Sequence, residues 1–300
     1  MATPGTSPLA VIINRSSGWD DTGEGLSRVE SILRTTQVSL VKKGTNCEDV
    51  ARRVVAEGAR TVVAGGGDGT IRAVAEALTG TGVNLGVIPV GTLNHFARDL
   101  DIPLDLDQAA SLVRDGTPRA VDTGEVNGRV FINNAIIGLY PAFRAERAEE
   151  ERKGAAAPFA VAGAALRVFR RNPALLFRMT LDGREIVRRS PLVVVANNEH
   201  KMEGWQLGTR TRMDAGRLWI YVMREKGHAN LLATFASVLA GTFDRNRHFE
   251  VFSVAEAVLS TGRKRIRVSL DGEIVELDAP LKFRSRPKAL KVIAPPQGRA

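Results

Sequence analysis

A carboxylate stands inside a run of glycines near residue 68, and this pairing is the most informative chemical feature of the sequence. Asp68 lies within Gly65-Gly-Gly-Asp-Gly-Thr70, directly after a short apolar run and before a helix-like segment. Glycines let backbone amides approach a ligand closely, and the free N–H groups of a helix N-terminus favour phosphate. A carboxylate is repelled by phosphates unless a cation lies between them, so Asp68 predicts bound Mg²⁺.

Two further loops of similar composition follow apolar runs. Asn14-Arg-Ser-Ser-Gly18 comes after the first run, and Gly91-Thr-Leu-Asn94 comes after the fourth and opens another helix. A tight strand-to-helix turn explains any one such loop equally well, but three loops in one unit favour a cradle for nucleotide phosphates. No lysine follows Gly69 as a Walker A loop requires, and Thr70 replaces the third glycine of the dinucleotide-binding pattern.

The elements that must position these loops alternate between strand-like and helix-like runs. The apolar patterns predict strands over 8–14, 38–41, 61–64 and 85–89, and helices over 25–33, 48–56 and 71–78. This alternation indicates a parallel sheet covered by helices, the open α/β architecture. Ligands of such sheets bind beyond the carboxyl ends of the strands, where the three loops lie.

From about residue 120 onward the pattern changes to strands that follow one another with turns between them. Asn127-Gly128, Asp182-Gly183, Ala215-Gly216 and Asp271-Gly272 mark these turns, and Asn-Gly and Asp-Gly are strong hairpin signals. We therefore expect a largely antiparallel β domain. Helices near 155–171 and 230–239 are expected to interrupt it, and a last apolar run covers 289–294.

Charge and composition limit the kinds of molecule that we expect this protein to bind. Lys and Arg number 42 against 33 Asp and Glu, a net charge of +9, which favours nucleic acid, anionic membranes or phosphorylated molecules. Aromatic residues make up only 5%, so we expect no nucleic-acid partner. The single cysteine, Cys47, excludes a disulfide framework. Because the sequence has neither a long apolar run nor a signal-peptide pattern, we expect a soluble cytoplasmic protein.

The motifs together resemble the diacylglycerol kinase catalytic-domain family, which includes bacterial lipid kinases and sphingosine kinases. Gly66-Gly-Asp-Gly-Thr70 and Pro89-Val-Gly-Thr-Leu-Asn-His-Phe-Ala-Arg98 carry the resemblance. Ile13-Asn-Arg-Ser-Ser-Gly18 is similar to the family's nucleotide loop, although Arg15 replaces its proline. Leu270-Asp-Gly-Glu273, followed by Ala279-Pro-Leu281, is similar to its Asp-Gly-Glu segment. The motifs occur in the expected order over nearly the whole chain.

The resemblance implies a fold and an activity. It implies a nucleotide-binding α/β domain over 1–122, related to NAD kinases and phosphofructokinases, then a β-sandwich lipid domain over 123–286. A strand within 287–296 would return to the first domain. The activity would be an ATP- and Mg²⁺-dependent lipid kinase acting on a hydroxyl of diacylglycerol or a related lipid. We expect it to lie peripherally at the inner face of the membrane, docked on anionic lipid through its basic clusters.

The resemblance also assigns roles to individual residues. Asp68 would hold the catalytic Mg²⁺, and Asp271 and Glu273 would lie over the γ-phosphate, one of them taking the proton of the lipid hydroxyl. From spacing alone, Asp271-Gly272 is more simply explained as a hairpin turn. Contacts to the nucleotide would come from Asn14, Ser17, Gly18, Gly66, Gly67, Asp68, Gly69, Thr70, Gly91, Thr92 and Asn94.

The sequence departs from the family pattern in several places. Arg72 and Ala73 stand where the family often has Asn and Glu, and His95 stands where Asp is common. Bacterial members often bind a structural Mg²⁺ at an Asp-Gly turn, but Ala215 occupies the ligand position here, which leaves neighbouring Asp214 as the candidate ligand.

Two alternative functions stay open at this stage. One is a kinase for a soluble substrate, closer to the NAD kinases. The other is a nucleotide-binding member of the family that does not catalyse transfer. The sequence leaves the oligomeric state open between monomer and homodimer.

Overall fold

The computed structural model describes most of the chain, and the part described consists of residues 9–15, 19, 23–34, 38–42, 45–139, 174–203, 206–210, 212–224 and 248–296. The helices expected near 155–171 and 230–239 lie outside it, as do Ser17 and Gly18.

The helices of the described residues all belong to the first half of the chain: α1 Glu24–Leu33, α2 Cys47–Ala56, α3 Asp68–Leu78, α4 His95–Asp99 and α5 Leu106–Asp115. The strands between them are short and mostly buried: β1 Leu9–Asn14, β2 Val38–Val41, β3 Thr61–Gly66 and β4 Asn84–Pro89. The later strands are β5 Thr117–Val126, β6 Arg129–Phe131, β7 Asn134–Gly138, β8 Leu175–Leu181, β9 Arg184–Ser190, β10 Leu192–Asn197, β11 His200–Glu203, β12 Gln206–Arg210, β13 Leu218–Met223, β14 Phe249–Val254, β15 Glu256–Ser260, β16 Arg265–Leu270, β17 Glu273–Asp278 and β18 Leu281–Ala294.

The first four strands form a parallel sheet in the order β2-β1-β3-β4. Successive residues of β1 face opposite sides, because side chains alternate along a strand. Ile12 packs in a core with residues of α2 and α3, whereas Ile13 packs with residues of α1 and α5. Helices therefore cover both faces, which confirms the predicted open α/β architecture.

The described residues after β4 and α5 form a β-sandwich. Strands β14-β13-β10-β7-β16-β17 form an antiparallel sheet, and it packs against the antiparallel part of the large sheet, which includes β15, β8 and β9. Phe131 and Phe283 belong to one sheet and contact each other edge to face, with their ring centroids 6.3 Å apart. They share a core with Val195 and Val268 of the other sheet, as expected for this fold class.

Strand β18 belongs to both halves of the molecule. Its first residues pair with β15, and its last residues pair in parallel with β4, where Lys291 lies opposite Asn84. It also pairs with β5 along most of its length. Because one strand joins the parallel and antiparallel regions, the loops after β3 and β4 are held in a fixed position relative to the sandwich.

The structure differs from the sequence-based expectations in a few elements. Helix α3 begins at Asp68 rather than near residue 71, so this carboxylate lies in the first helical turn. Helix α5 was not predicted, although the Asp105 side chain caps it by accepting from Gln108 N at 3.0 Å. The predicted Ala215-Gly216 turn lies between β12 and β13, which pair with other strands, and its amides donate to the side chains of Asn198 and Asp122.

Candidate active site

The loops that follow β1, β3 and β4 are in direct contact. Asn14, the last residue of β1, donates from Nδ2 to Thr70 Oγ1 at 3.0 Å. The other two loops approach so closely that a Cβ at Gly91 would lie 2.6 Å from Gly67 Cα. A side chain at Gly91 is therefore excluded by packing alone. The described residues of the three predicted loops therefore meet at the carboxyl edge of the parallel sheet, through Asn14 with Thr70 and through Gly67 with Gly91.

The glycine loop leaves the start of α3 open. Its N-cap residue is Gly67, which has no side chain to bond the first-turn amides. Gly69 is exposed, and a Cβ added there would meet no atom within 4 Å. Gly66 is different, because its Cβ would lie 2.6 Å from the Thr70 side chain. Uncapped N–H groups beside open space are what a phosphate requires at a helix N-terminus.

Asn94 shapes the third loop through its own side chain. Its backbone is left-handed, with φ of 50°, and the residue is buried. Its Oδ1 accepts from Gly91 N at 3.0 Å, and its Nδ2 donates to Gly91 O at 2.7 Å. These bonds close the turn and leave the neighbouring Thr92 exposed at its tip.

Asp68 carries an unsatisfied oxygen. Its Oδ1 is buried and has no hydrogen-bond partner among the described residues. Buried carboxylate oxygens are normally paired, so an orphaned one marks a place where a donor or a cation is missing. Mg²⁺ is usually held by one or two carboxylates together with substrate phosphates. The position of Asp68 beside the open helix terminus therefore fits Mg²⁺ bound with a nucleotide.

Asp271 lies at a hairpin turn with its carboxylate directed at a neighbouring loop. Asp271 and Gly272 both have positive φ, 47° and 91°, as expected for the two-residue turn between β16 and β17. The carboxylate accepts from the backbone N–H groups of Ile132, Asn133 and Asn134 at 2.7–2.8 Å. Burial raises the pKa of Asp271, although these three bonds oppose the shift. Both of its oxygens are therefore occupied.

Glu273, two residues later, is more accessible. Its side chain is 55% exposed, and Oε2 accepts from Arg72 Nη2. Arg72 belongs to α3, one helical turn beyond Asp68, and its own side chain is only 7% exposed. The candidate acceptor-side carboxylate thus contacts the helix that carries the candidate metal ligand.

Glu76 extends this network into the β-sandwich. It accepts from Arg72 Nη1 at 2.6 Å, from Arg129 Nε at 2.8 Å and from Val130 N at 3.1 Å. Burial works against the charge of Glu76, but the bonds from Arg129 and Val130 and the charges of both arginines hold its pKa below the usual range. Asp68, Arg72 and Glu76 are spaced four residues apart and so share one face of α3.

Comparison with known proteins matches this architecture to two family models. Residues 8–126 match the diacylglycerol kinase catalytic domain, and residues 141–294 match the YegS C-terminal NAD kinase beta sandwich-like domain. The chain belongs to the diacylglycerol kinase catalytic domain family. The resemblance inferred from the glycine and Asp-Gly-Glu motifs is confirmed, and the family is one of lipid kinases.

Individual members of the diacylglycerol kinase family align along nearly the full chain. A protein of Pseudomonas syringae pv. tomato named "Probable lipid kinase YegS-like" is 30% identical over 95% of this chain and 88% of its own length. A diacylglycerol kinase of Staphylococcus aureus is 26% identical over 95% and 91%. A crystal structure of a diacylglycerol kinase from Bacillus anthracis has a TM-score of 0.69 at 18% identity and covers 97% of each chain, which shows a shared fold.

The turn around Asp214, the residue predicted as a ligand of a structural Mg²⁺, is held by protein donors. Asp214 pairs with Arg212 at 3.2 Å. The neighbouring carboxylate, Asp122, accepts from the amides of Gly216 at 2.6 Å and Lys288 at 2.8 Å. Among the described residues, no three His, Cys, Asp or Glu side chains are grouped as a metal site. The residues at this turn therefore do not fit a structural Mg²⁺, and protein donors hold the turn instead.

The histidines at positions 95 and 200 lie in different surroundings. His95 is exposed at the start of α4, whereas His200 is buried. Its Nδ1 lies 3.2 Å from the carbonyl oxygen of Asn198, which can only accept, so Nδ1 carries the proton. Burial and the charge of Arg210 lower the pKa of His200 to about 3, and the ring is neutral.

Sequence reasoning missed the charged side chains that join the two halves of this family fold. In the sequence Arg72 is visible only as a departure from the family pattern, and the motifs do not point to Glu76, Arg129 or Arg210. The four-residue spacing of Asp68, Arg72 and Glu76 was readable from the sequence. Their partners in the sandwich were not, because Arg72 and Glu273 are 201 positions apart.

Proposed function

We propose that this protein transfers the γ-phosphoryl group of ATP to a hydroxyl group of diacylglycerol or a related lipid, with Mg²⁺ as cofactor. The observation that carries the proposal is the arrangement along α3. This helix holds the unpaired carboxylate oxygen of Asp68 at the junction of three loops and, one turn later, contacts Glu273 through Arg72. Membership of a lipid kinase family supports the same activity.

The nucleotide would be bound by backbone groups rather than by long side chains. The uncapped N–H groups at the start of α3 lie next to the third loop, because Gly91 approaches Gly67 closely, and Thr92 is exposed in that loop. Mg²⁺, when bound, would neutralise phosphate charge, and Asp68 would supply its protein ligand. Phosphoryl transfer needs little from the enzyme beyond such positioning and charge compensation.

Glu273 is the better candidate for the base that accepts the lipid proton. Both oxygens of Asp271 are occupied by three backbone amides, whereas Glu273 is half exposed and only its Oε2 is engaged by Arg72. In the proposed step, the lipid hydroxyl oxygen forms a bond to the γ-phosphorus and its proton passes to Glu273. The bond between the γ-phosphorus and the bridging oxygen breaks, and ADP leaves with that oxygen.

A lipid substrate requires contact with a membrane, and one sheet face suits an anionic bilayer. On the outer face of the antiparallel part of the large sheet, each of several apolar side chains lies opposite a basic one. The pairs of this face, called the basic face below, are Leu176 with Arg189, Val187 with Arg178, and Val258 with Lys282.

The apolar members of the basic face are unusually exposed for their type. Leu176 is 48% exposed, Val187 53% and Val258 36%, although the alternate residues of the same strands fill the sandwich core. Apolar side chains between cations match the interfacial region of an anionic bilayer, where each nearby cation contributes about 1 kcal/mol. No helix of the described residues is long and apolar enough to cross a membrane.

The activity is tested by phosphate transfer. Purified protein is incubated with Mg²⁺ and γ-labelled ATP on vesicles made from a total lipid extract, with and without added diacylglycerol. We expect label in a chloroform-soluble product, increased by diacylglycerol and lost in Asp68→Asn. The matched control is Asp49→Asn, because Asp49 also lies in the first turn of a helix of the same domain and is exposed there. That control should keep full transfer.

The other outcomes of this experiment identify the alternatives. Label only in a water-soluble acceptor would indicate a soluble-substrate kinase. Binding of Mg²⁺·ATP without transfer to any acceptor would indicate a nucleotide-binding protein that does not catalyse the reaction. Either result would overturn the proposal.

Membrane contact is tested separately by co-sedimentation with vesicles. Binding should require anionic lipid and weaken at high salt, because exposed charges are screened over ~8 Å at physiological ionic strength. Arg178→Glu should weaken it by at least about fivefold, which corresponds to ~1 kcal/mol. Arg53→Glu, an exposed change on α2, serves as the control. Equal effects of both substitutions would exclude the basic face as the docking surface.

A further inference from the structure

Arg72 occupies an unusual position for a buried cation. It lies on α3 within the nucleotide-binding half, yet one end of its guanidinium contacts Glu273 of the sandwich half. Its other end donates to Glu76 at 2.6 Å. A buried arginine is stable only when its charge is compensated, and here two carboxylates on different elements share that task.

The two carboxylates differ in how much they depend on Arg72. Glu76 is buried and retains Arg129 and Val130 N as partners if Arg72 is removed. Glu273 is half exposed, and Arg72 is the partner that the described residues provide for it. Loss of Arg72 would therefore leave Glu76 satisfied and Glu273 without a fixed orientation. The effect of Arg72 on Glu273 can thus be separated from its effect on folding.

Helix α3 also connects the nucleotide side of the proposed reaction with the acceptor side. Asp68 and Arg72 are one turn apart on α3, so a shift of this helix moves the nucleotide side and the acceptor side together. Arg72 Nε is buried without a hydrogen-bond partner among the described residues, as is Asp68 Oδ1. Both unsatisfied atoms belong to one turn of one helix, as expected for a site that is completed by a ligand.

We propose that Arg72 is a positioning residue that holds the Glu273 carboxylate at the transfer site by tying it to the helix that carries Asp68. Asparagine at this position would be shorter and uncharged and could not form this ion pair. The inference rests on the proposed kinase activity, in which Glu273 accepts the lipid proton.

A double-mutant cycle tests the proposal. Arg72→Asn should lower kcat by about 10- to 100-fold while KM for ATP changes less than about threefold, because only the acceptor-side group loses its orientation. Combined with Glu273→Gln, Arg72→Asn should cause no further loss of kcat, since its effect passes through Glu273. Arg72→Lys should recover part of the lost activity. Independent, multiplying losses or an unchanged kcat would overturn the proposal.

A matched control separates positioning from a general weakening of the network. Arg129→Gln removes the other arginine that pairs with Glu76 but leaves the contact between Arg72 and Glu273. It should keep kcat within about threefold, and an equal loss in Arg129→Gln would indicate a structural effect only.

A parent protein that transfers no phosphate would contradict the proposed function instead. In that case a cycle of Arg72→Asn and Glu273→Ala, which removes the carboxylate altogether, is measured by urea unfolding; non-additive effects support the ion pair, and additive effects overturn the proposal.

Discussion

Arg210 and Asp99 form an ion pair that is almost completely buried, with Arg210 Nε 2.8 Å from Asp99 Oδ2. Asp99 ends α4, the helix after the third loop, whereas Arg210 ends β12. The same guanidinium donates to the carbonyl oxygen of Ile132 and to Asn133 Oδ1. Because Ile132 and Asn133 in turn donate their amides to Asp271, Arg210 connects the nucleotide side with the Asp-Gly-Glu hairpin.

Replacement of Arg210 should therefore lower the free energy of unfolding substantially. Arg210→Met keeps much of the side-chain volume and the backbone N–H that bonds Asp99 Oδ1, but it leaves the buried Asp99 carboxylate without its counter-ion, which typically costs about 3–5 kcal/mol of unfolding free energy. Urea unfolding measures this loss, and adding Asp99→Asn should recover part of it. Arg52→Met, which breaks the exposed pair with Glu48, should cost no more than about 0.5 kcal/mol. A similarly small loss for Arg210→Met would contradict the structure.

A substitution at Gly69 should weaken nucleotide binding without destabilising the folded protein. Since nothing lies within 4 Å of a Cβ at this position, Gly69→Ala should not lower the melting temperature. If phosphates bind at the start of α3, the methyl group would obstruct their approach, and calorimetry should show at least about a tenfold weaker affinity for Mg²⁺·ATP.

Gly91→Ala provides the contrast to Gly69→Ala. Its Cβ would lie 2.6 Å from Gly67 Cα, so it should lower both the melting temperature and the affinity. Unchanged nucleotide affinity in a folded Gly69→Ala protein would exclude the start of α3 as the phosphate site.

Acid should destabilise the protein partly through His200. Its pKa is about 3 in the folded protein because the ring is buried, against about 6.5 when the chain is unfolded. Between these values the unfolded chain binds the proton and the folded one does not, so stability falls as the pH decreases from 6.5. From pH 7 to pH 5 this group alone should remove about 2 kcal/mol.

The contribution of His200 is isolated by comparison with His200→Gln. The loss of unfolding free energy between pH 7 and pH 5 should be about 2 kcal/mol smaller in this variant than in the parent. Equal losses in both proteins would show that carboxylates, not His200, cause the acid sensitivity.

The parallel sheet and the three loops could be predicted from local sequence, because apolar periodicity and glycine-rich junctions are local properties. The roles of the polar side chains could not be predicted in this way. Asn94 has the chemistry to contact a ligand, but its amide bonds Gly91 of its own loop. Glu273, the second partner of Arg72, and the partners of Asp271 are more than 130 positions away in sequence, so only the tertiary fold brings them together.

Asp271 and Glu273 should respond differently to loss of charge. In Asp271→Asn the amide group can accept through one oxygen only, which leaves a backbone N–H, such as that of Ile132, facing an NH₂ donor. An unsatisfied buried donor costs about 1–3 kcal/mol, so urea unfolding should show a loss of this size. Activity should fall with it, because the hairpin that carries Glu273 is no longer held against the 132–134 loop.

Glu273→Gln should instead leave stability almost unchanged, because the side chain is half exposed and its isosteric amide keeps an oxygen that can accept from Arg72. It should lower kcat by about 10²–10⁴, the usual contribution of a positioned base, while the affinity for Mg²⁺·ATP stays within a few-fold. If Asp271→Asn unfolds like the parent and lowers kcat more than Glu273→Gln does, then Asp271 accepts the proton and Glu273 serves only to anchor Arg72.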